Sequence, residues 1–506
     1  MSRWMRFCMA LGIVMALVAV AAIVTNRTAG LGRADVCADP QSGQQFEAVG
    51  ACTEPGTAAP FSLPQPEYVS PPPEFIPPLF ALPPPNPNYV PPQREFIRPP
   101  LRPEGLPHPV PPPVWTTTDP MNPGSQLPSG NLPGGHYEVG TYLSSDNLQI
   151  YGLICSPSSP GPHPVLILNP GIGGIDSIDH YWFNGCANMM AAGWLVAASA
   201  YRWEKIKDVP PGSNFIRQSQ GQFEFCGGEV DDALNLLAAV EALPNNVANS
   251  SQVVMYGHSL GSCVTELAIE RLGREGKFAP QIAVSVDGPA DFTPTTWPIL
   301  HAPPPAGYGA AWCDSCGPGG PGPGSAADQL QQLWERSSAY DKYKYPQTYL
   351  ANPNLAFLRI HDTGDAVVPP GPPGYACELA AALGPGSSNY FLYPDTSPPG
   401  TYVAPPQVCA PWPTSWKLGQ LLPGTGKGGP WTSPTFLMYE CPASVCTGPD
   451  RTPNPNKYVW VNGQLVSEGA AEHLEIAAQA WSEVVSFVNQ FASGWSASFP
   501  AQFPFM

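Results

Sequence analysis

The chain is poor in charge. Asp, Glu, Lys and Arg make up 12% of its 506 residues, with 22 basic against 39 acidic and a formal net charge of −17. No basic face is available to neutralise phosphates, and an acidic surface repels them, so nucleic acid is excluded as a partner. Metal-ligand patterns are also lacking. Cys313-Asp314-Ser315-Cys316 sits in a Gly/Pro loop with no second Cys or His pair at ligand spacing, so no metal is expected. No other feature calls for a cofactor. There is no internal repeat.

What is there begins with one apolar run, Phe7 to Val24, preceded by Arg3 and Arg6 and followed by the small-x-small site Gly32-Arg33-Ala34. This pattern predicts an export signal over residues 1–34, or a membrane anchor if it is not cleaved. Thirteen cysteines agree with export: setting aside Cys8 in the signal leaves an even set, as disulfides in an oxidising compartment require. The close pairs Cys37/Cys52, Cys313/Cys316 and Cys441/Cys446 are candidate local bridges. The other cysteines have no pairing that spacing decides.

Proline is abundant, 69 in all, and about a third of the residues from Glu54 to Pro123 are proline. Proline fixes φ and removes a backbone donor, so this stretch favours polyproline II over a packed core. Residues 35–135 therefore read as a semi-rigid spacer, either inert or lying along the globular domain, a cell wall or a membrane surface through aromatics such as Tyr68 and Phe75. From 136 to 506 the pattern becomes globular. Strands are expected at Tyr137–Leu143, Leu148–Cys155, Pro164–Leu168, Trp194–Ala200, Ile282–Val286, Leu355–Ile360 and Asn389–Tyr393. Helices are expected at Ile178–Ala192, Glu229–Leu243, Tyr375–Leu383 and Glu472–Phe491. Such alternation predicts an α/β protein with a mainly parallel sheet covered on both faces. Two stretches break the rhythm, about 293–345 and 395–466. They are rich in Pro, Gly and Cys and read as disulfide-held lid or rim insertions.

The chemistry centres on Gln252-Val253-Val254-Met255-Tyr256-Gly257-His258-Ser259-Leu260-Gly261. An apolar strand runs into Gly-x-Ser-x-Gly, and a helix-forming segment follows, which is the setting of a nucleophile elbow. Side chains at 257 and 261 would collide with neighbouring backbone, while Ser259 sits in a strained turn at a helix N-terminus. A serine hydroxyl needs a base to take its proton and usually an acid to orient that base. On folds with such an elbow the acid follows the serine and the histidine comes last. His361-Asp362-Thr363-Gly364-Asp365 lies in a turn after a strand, with Asp365 favoured over Asp362 as the acid. Of the downstream histidines, His301 and His361 break the order, which leaves His473 as the base; His258 reads as a packed elbow residue. The amide of Leu260 is the expected oxyanion donor, with Ile172 in the turn Asn169-Pro170-Gly171-Ile172-Gly173-Gly174 as the second. Gly171, His180, Tyr201 and Trp203, at nearby loop or strand ends, are candidate substrate-binding residues, as are the neighbouring Tyr181 and Trp182.

These residues together resemble the α/β-hydrolase superfamily. Ser145–Leu153 followed by His163–Gly171 is similar to the start of dienelactone-hydrolase-like and prolyl-oligopeptidase-like catalytic domains. Pro170–Gly174 resembles the oxyanion turn of cutinase-like polyester hydrolases, and His361–Pro369 resembles the family's acid turn. Asn169-Pro170 replaces the common His-Gly start of that oxyanion turn, and Ser262 stands where a further glycine is common. The resemblance implies an α/β-hydrolase fold and a serine hydrolase, which the N-terminal export signal and the even cysteine set would place outside the cell or in the periplasm. It would cleave carboxylic esters (small, lipid or polymeric) through an acyl-enzyme, without a cofactor. The rival expectations are a peptidase of prolyl-oligopeptidase type and a non-catalytic wall or adhesion protein on the same scaffold.

Overall fold

The computed structural model describes residues 113–172, 175, 181–221, 223, 226–274, 280–290, 355–365, 367–368, 431–439, 441, 457–461 and 464–505, with four short strands outside them. The chain divides into two units, Met1–Leu106 and Pro107–Met506. In the first, strands β1 (Asp35–Ala38) and β2 (Gln45–Ala48) pair antiparallel. The expected signal segment, the helix at 375–383 and the 293–345 stretch lie outside the described residues, as do the side chains of Cys37, Cys52, Cys313, Cys316 and Cys446. Among the described residues no helix is long and apolar enough to cross a membrane.

The second unit is built on an 11-stranded sheet. It opens with β3 (Ser129–Leu132), β4 (Gly135–Leu143) and β5 (Gln149–Pro157), which pair antiparallel in sequence order. The rest of the sheet is β6 (His163–Asn169), β7 (Leu195–Ser199), β10 (Ala248–His258), β11 (Ile282–Val286), β12 (Ala356–Asp362), β13 (Ser388–Leu392), β14 (Lys417–Leu418) and β15 (Thr435–Tyr439). A small antiparallel hairpin, β8 (Lys205–Lys207) with β9 (Ile216–Gln218), stands apart. Strand order is β14-β13-β15-β12-β11-β10-β6-β7-β5-β4-β3. From β7 to β14 every pairing is parallel, and β5 runs antiparallel to both its neighbours. All residues of β6, β7, β11, β12 and β15 are buried, which is why these strands read as continuous apolar runs rather than alternating ones.

Helices α1 (Tyr181–Ala191), α2 (Gly228–Glu241), α3 (Leu260–Arg274), α4 (Glu468–Gln479) and α5 (Trp481–Phe491) flank the sheet. The core divides into two apolar clusters. One joins α1 and α5 to Leu166, Val254 and Leu358; the other joins α2 and α3 to Val165, Met255 and Phe357. Neighbouring strand residues thus feed opposite faces, and this is the α/β-hydrolase fold.

Three sequence expectations change. The folded unit begins before residue 136: Thr116 exchanges backbone hydrogen bonds with Thr141, and a Cβ on Gly140 would overlap the Trp115 indole. The stretch 395–466 is not wholly a rim insertion. β15 enters the sheet between β12 and β13, all five residues buried, because its Thr-Phe-Leu-Met-Tyr run is apolar enough for a central strand. The expected single terminal helix is two, divided at Ala480 (φ −87°, ψ 4°). This turn brings Trp481 onto Phe499 and Phe503, and the adjoining Phe505 stacks on Tyr256 of the elbow strand. Two bridges join elements that spacing left unpaired: Cys155–Cys186 ties β5 to α1, and Cys226–Cys263 ties the segment before α2 to α3.

Candidate active site

β10 runs straight into the turn that carries Ser259 and then into α3. Ser259 has φ 57°, a left-handed conformation that costs a residue with a Cβ about 1 kcal/mol or more. The surroundings hold it there. Its N–H donates to Val286 O at 3.0 Å, and its carbonyl accepts the Ser262 N–H at 2.9 Å. A Cβ on Gly261 would overlap the Asn169 carbonyl, so strand β6 and helix α3 can approach only with glycine there. Asn169, where a His-Gly start is common, has a local function: Nδ2 donates to Thr265 Oγ1 at 2.8 Å, and that hydroxyl donates to Gly261 O at 2.8 Å. The end of β6 is thereby fastened to the first turn of α3.

Gly171 lies against the serine, since a Cβ there would stand 3.3 Å from Ser259 Cβ and 3.7 Å from its Oγ. Ile172 follows with its side chain half exposed. Leu260 opens α3, and the first N–H groups of a helix have no intrahelical acceptor. The turn at Gly171 and Ile172 and the elbow therefore meet at the serine side chain.

His473 lies in α4, buried, and its ring Nδ1 is 2.7 Å from Asp365 Oδ2. The imidazole thus meets Asp365 and not Asp362, whose Oδ1 instead caps Gly364 N–H. The other oxygen of Asp365 accepts the amides of Val367 and Val368, each at 2.8 Å. His473 is joined to the elbow through its own backbone. Nε2–H of His258, the residue before the serine, donates to His473 O at 2.8 Å, and the two rings lie 5.0 Å apart. Burial, and then the charge of a protonated His473, push the His258 pKa down to about 3. It is a neutral packed donor. His361 is likewise pushed down to about 3, by burial first and then by Arg359, and its Nε2–H donates to Val368 O at 2.8 Å.

Of the candidate binding residues, Tyr201 (φ 52°) is fully buried in the core, not presented to solvent, and Trp203 (φ 67°) is half-buried. Trp182 is buried in α1, and its ring packs against Phe505. His180 and the Tyr181 side chain lie outside the described residues. Sequence reasoning missed a buried network beneath the site. Arg359 of β12 pairs with Glu266 of α3, Ser285 Oγ of β11 donates to the same carboxylate, and burial lowers the Arg359 pKa to about 9. A lone arginine in an apolar strand is the signal that could have found it, because such a charge needs a partner.

The two depressed histidines predict an acid limit to stability. Their folded pKa values lie below the unfolded value near 6.5, so their contribution is complete above about pH 6.5 and is lost as pH falls towards about 3. Each can add a slope of up to about 1.4 kcal/mol per pH unit. Urea midpoints measured between about pH 7 and about pH 4 should fall steadily; a flat profile would contradict neutral burial of both rings.

No family model matches the chain, and neither does any curated protein. Among solved structures it is similar to a puromycin-hydrolyzing peptidase of Mycobacterium tuberculosis, at 16% identity over 50% of this chain and 34% of that one, with a TM-score of 0.35. It is also similar to a puromycin hydrolase, at 12% identity over 76% and 42%, with a TM-score of 0.38. A third is dipeptidyl peptidase 4 of Porphyromonas gingivalis, at 14% identity over 49% and 30%, with a TM-score of 0.33. The chain spans 30% to 42% of the length of these three.

Proposed function

We propose that this protein is an exported serine hydrolase that cleaves a carboxylic ester or peptide bond through an acyl-enzyme. The observation that carries the reading is the convergence on Ser259. Its side chain adjoins Gly171, and the His473–Asp365 pair is bonded to the residue immediately before it. Ser259 Oγ attacks the carbonyl carbon while His473 Nε2 takes the hydroxyl proton. Asp365 accepts Nδ1–H and stabilises the imidazolium that forms. The amides of Leu260 and Ile172 receive the oxyanion. His473 returns the proton to the leaving alcohol or amine, and water then repeats the sequence on the acyl-enzyme.

Ester and amide substrates use the same groups and differ in the leaving group, and the similar solved structures bear peptidase as well as hydrolase names. Turnover of short-chain and medium-chain nitrophenyl esters is therefore to be compared with that of an aminoacyl anilide on purified protein. Turnover of either class, abolished by a fluorophosphonate that labels Ser259, is the expected result, and the ratio of kcat/KM values assigns the bond. Absence of both turnover and labelling would sink the proposal and favour a non-catalytic scaffold.

A further inference from the structure

Strand β11 ends between the nucleophile and the acid. Val286 accepts the Ser259 amide, and the next residue, Asp287, donates its own N–H to Ile360 O at 3.0 Å. Asp287 then takes φ 47°, a left-handed conformation that a residue with a Cβ adopts at a cost. Its side chain is fully buried. Oδ1 accepts the Asp362 N–H at 2.9 Å and lies 3.8 Å from His361 Nδ1, whereas Oδ2 meets no hydrogen-bond donor among the described residues. One oxygen of Asp287, one of Asp365 and a ring nitrogen of His361 all lie within 4.8 Å of one another.

Among the described residues, the groups facing Asp287 do not supply a compensating charge. Asp365 and Asp362 are carboxyl groups, and Tyr256 across on β10 is a phenol whose pKa is raised by burial first and then by Asp287. His361 is neutral, and Arg359, 3.5 Å from His361 through Nη2, is paired with Glu266. Asp365 has a use for its charge: both its oxygens already accept N–H donors. Two adjacent carboxylates in a dry pocket cannot both ionise cheaply, so the proton belongs on Asp287. Burial, followed by the charges of Asp365 and Asp362, accordingly holds Asp287 well above the ordinary carboxyl range. A cation in place of the proton fits poorly, with a guanidinium so close to the one nitrogen that would bind it.

We propose that Asp287 is a positioning residue for the acid: its protonated carboxyl donates a hydrogen bond from Oδ2 to the Asp365 carboxylate and fixes the plane in which Asp365 receives the His473 ring. The inference rests on the serine-hydrolase reading for its consequence in turnover, though not for the proton itself. An asparagine can stand in. Its amide oxygen would accept the Asp362 N–H, and its NH2 would donate to Asp365.

The test compares wild type, Asp287→Asn and Asp287→Ala. Asn should keep kcat within about threefold, whereas Ala should lose about a hundredfold in kcat with KM within about threefold, the size of effect that misplacing a catalytic group produces. Melting temperatures provide a readout independent of activity. The folded protein keeps a proton that the unfolded chain releases near pH 4, so Asp287 costs stability as pH rises through its folded value. The melting temperature of Asp287→Asn minus that of wild type should therefore increase from about pH 4 to about pH 8. Equal losses in Asn and Ala, full kcat in Ala, or a difference in melting temperature that does not change with pH would each overturn the proposal. If Ala does not fold, the Asn comparison with wild type decides. A wild type that a fluorophosphonate does not label would instead mark failure of the hydrolase reading, and the melting arm would still report on the Asp287 proton.

Discussion

Ser259→Ala is expected to lower kcat on the order of 10⁶-fold and to abolish fluorophosphonate labelling while leaving the fold intact. The hydroxyl is the only atom removed. Its loss leaves the 3.0 Å bond from the residue 259 amide to Val286 O and the 2.9 Å bond from Ser262 N–H to the residue 259 carbonyl in place. The left-handed turn is held by backbone and by the glycine contact at 261, so alanine inherits its geometry. Melting temperature should stay the same or rise slightly, since a site shaped for chemistry is seldom shaped for stability. Residual turnover above water would come from the Leu260 and Ile172 amides. Retention of more than about a tenth of wild-type kcat would remove Ser259 from the mechanism.

The second large effect is expected at the acid. Asp365→Asn should cost about 10⁴-fold in kcat with a small change in KM, a larger loss than the near-isosteric exchange suggests. The reason lies in the two amides that grip Asp365 Oδ1. Val367 and Val368 both donate there at 2.8 Å, so the amide oxygen of an asparagine must take that position. Its NH2 is then turned towards His473 Nδ1, where Oδ2 now lies 2.7 Å away. A donor in that place forces the ring into the tautomer with its proton on Nε2, which cannot take a proton from Ser259. The negative charge that would stabilise the imidazolium is lost as well. Activity within about tenfold of wild type would show that the imidazole does not depend on this acid.

That Asp365 lies after a strand, and that His473 follows it in the chain, could be read from residue order. That the imidazole meets Asp365 rather than Asp362 depends on a turn of four residues, in which one carboxylate caps Gly364 and the other points at α4. Spacing does not encode that difference. β15 was hidden for a related reason. Its short apolar run lies among Pro, Gly and Trp residues, and only its partners β12 and β13 make it a strand. Cys155–Cys186 and Cys226–Cys263 span 31 and 37 residues, too far for spacing to pair them.

The sequence by itself determined the alternation of apolar strands and amphipathic helices, the elbow at Ser259 with its two glycines, and the net negative charge. These are local properties, set by side-chain periodicity, steric demands over a few residues and net charge. Tertiary structure alone decided that Asn169 fastens the end of β6 to α3, that His258 binds the carbonyl of His473, and that Asp287 lies beside Asp365. These join residues separated by 96, 215 and 78 positions respectively. Their pairing, and the protonation of a buried carboxyl group, depend on which charges and dipoles the fold places within a few ångströms in a dry interior.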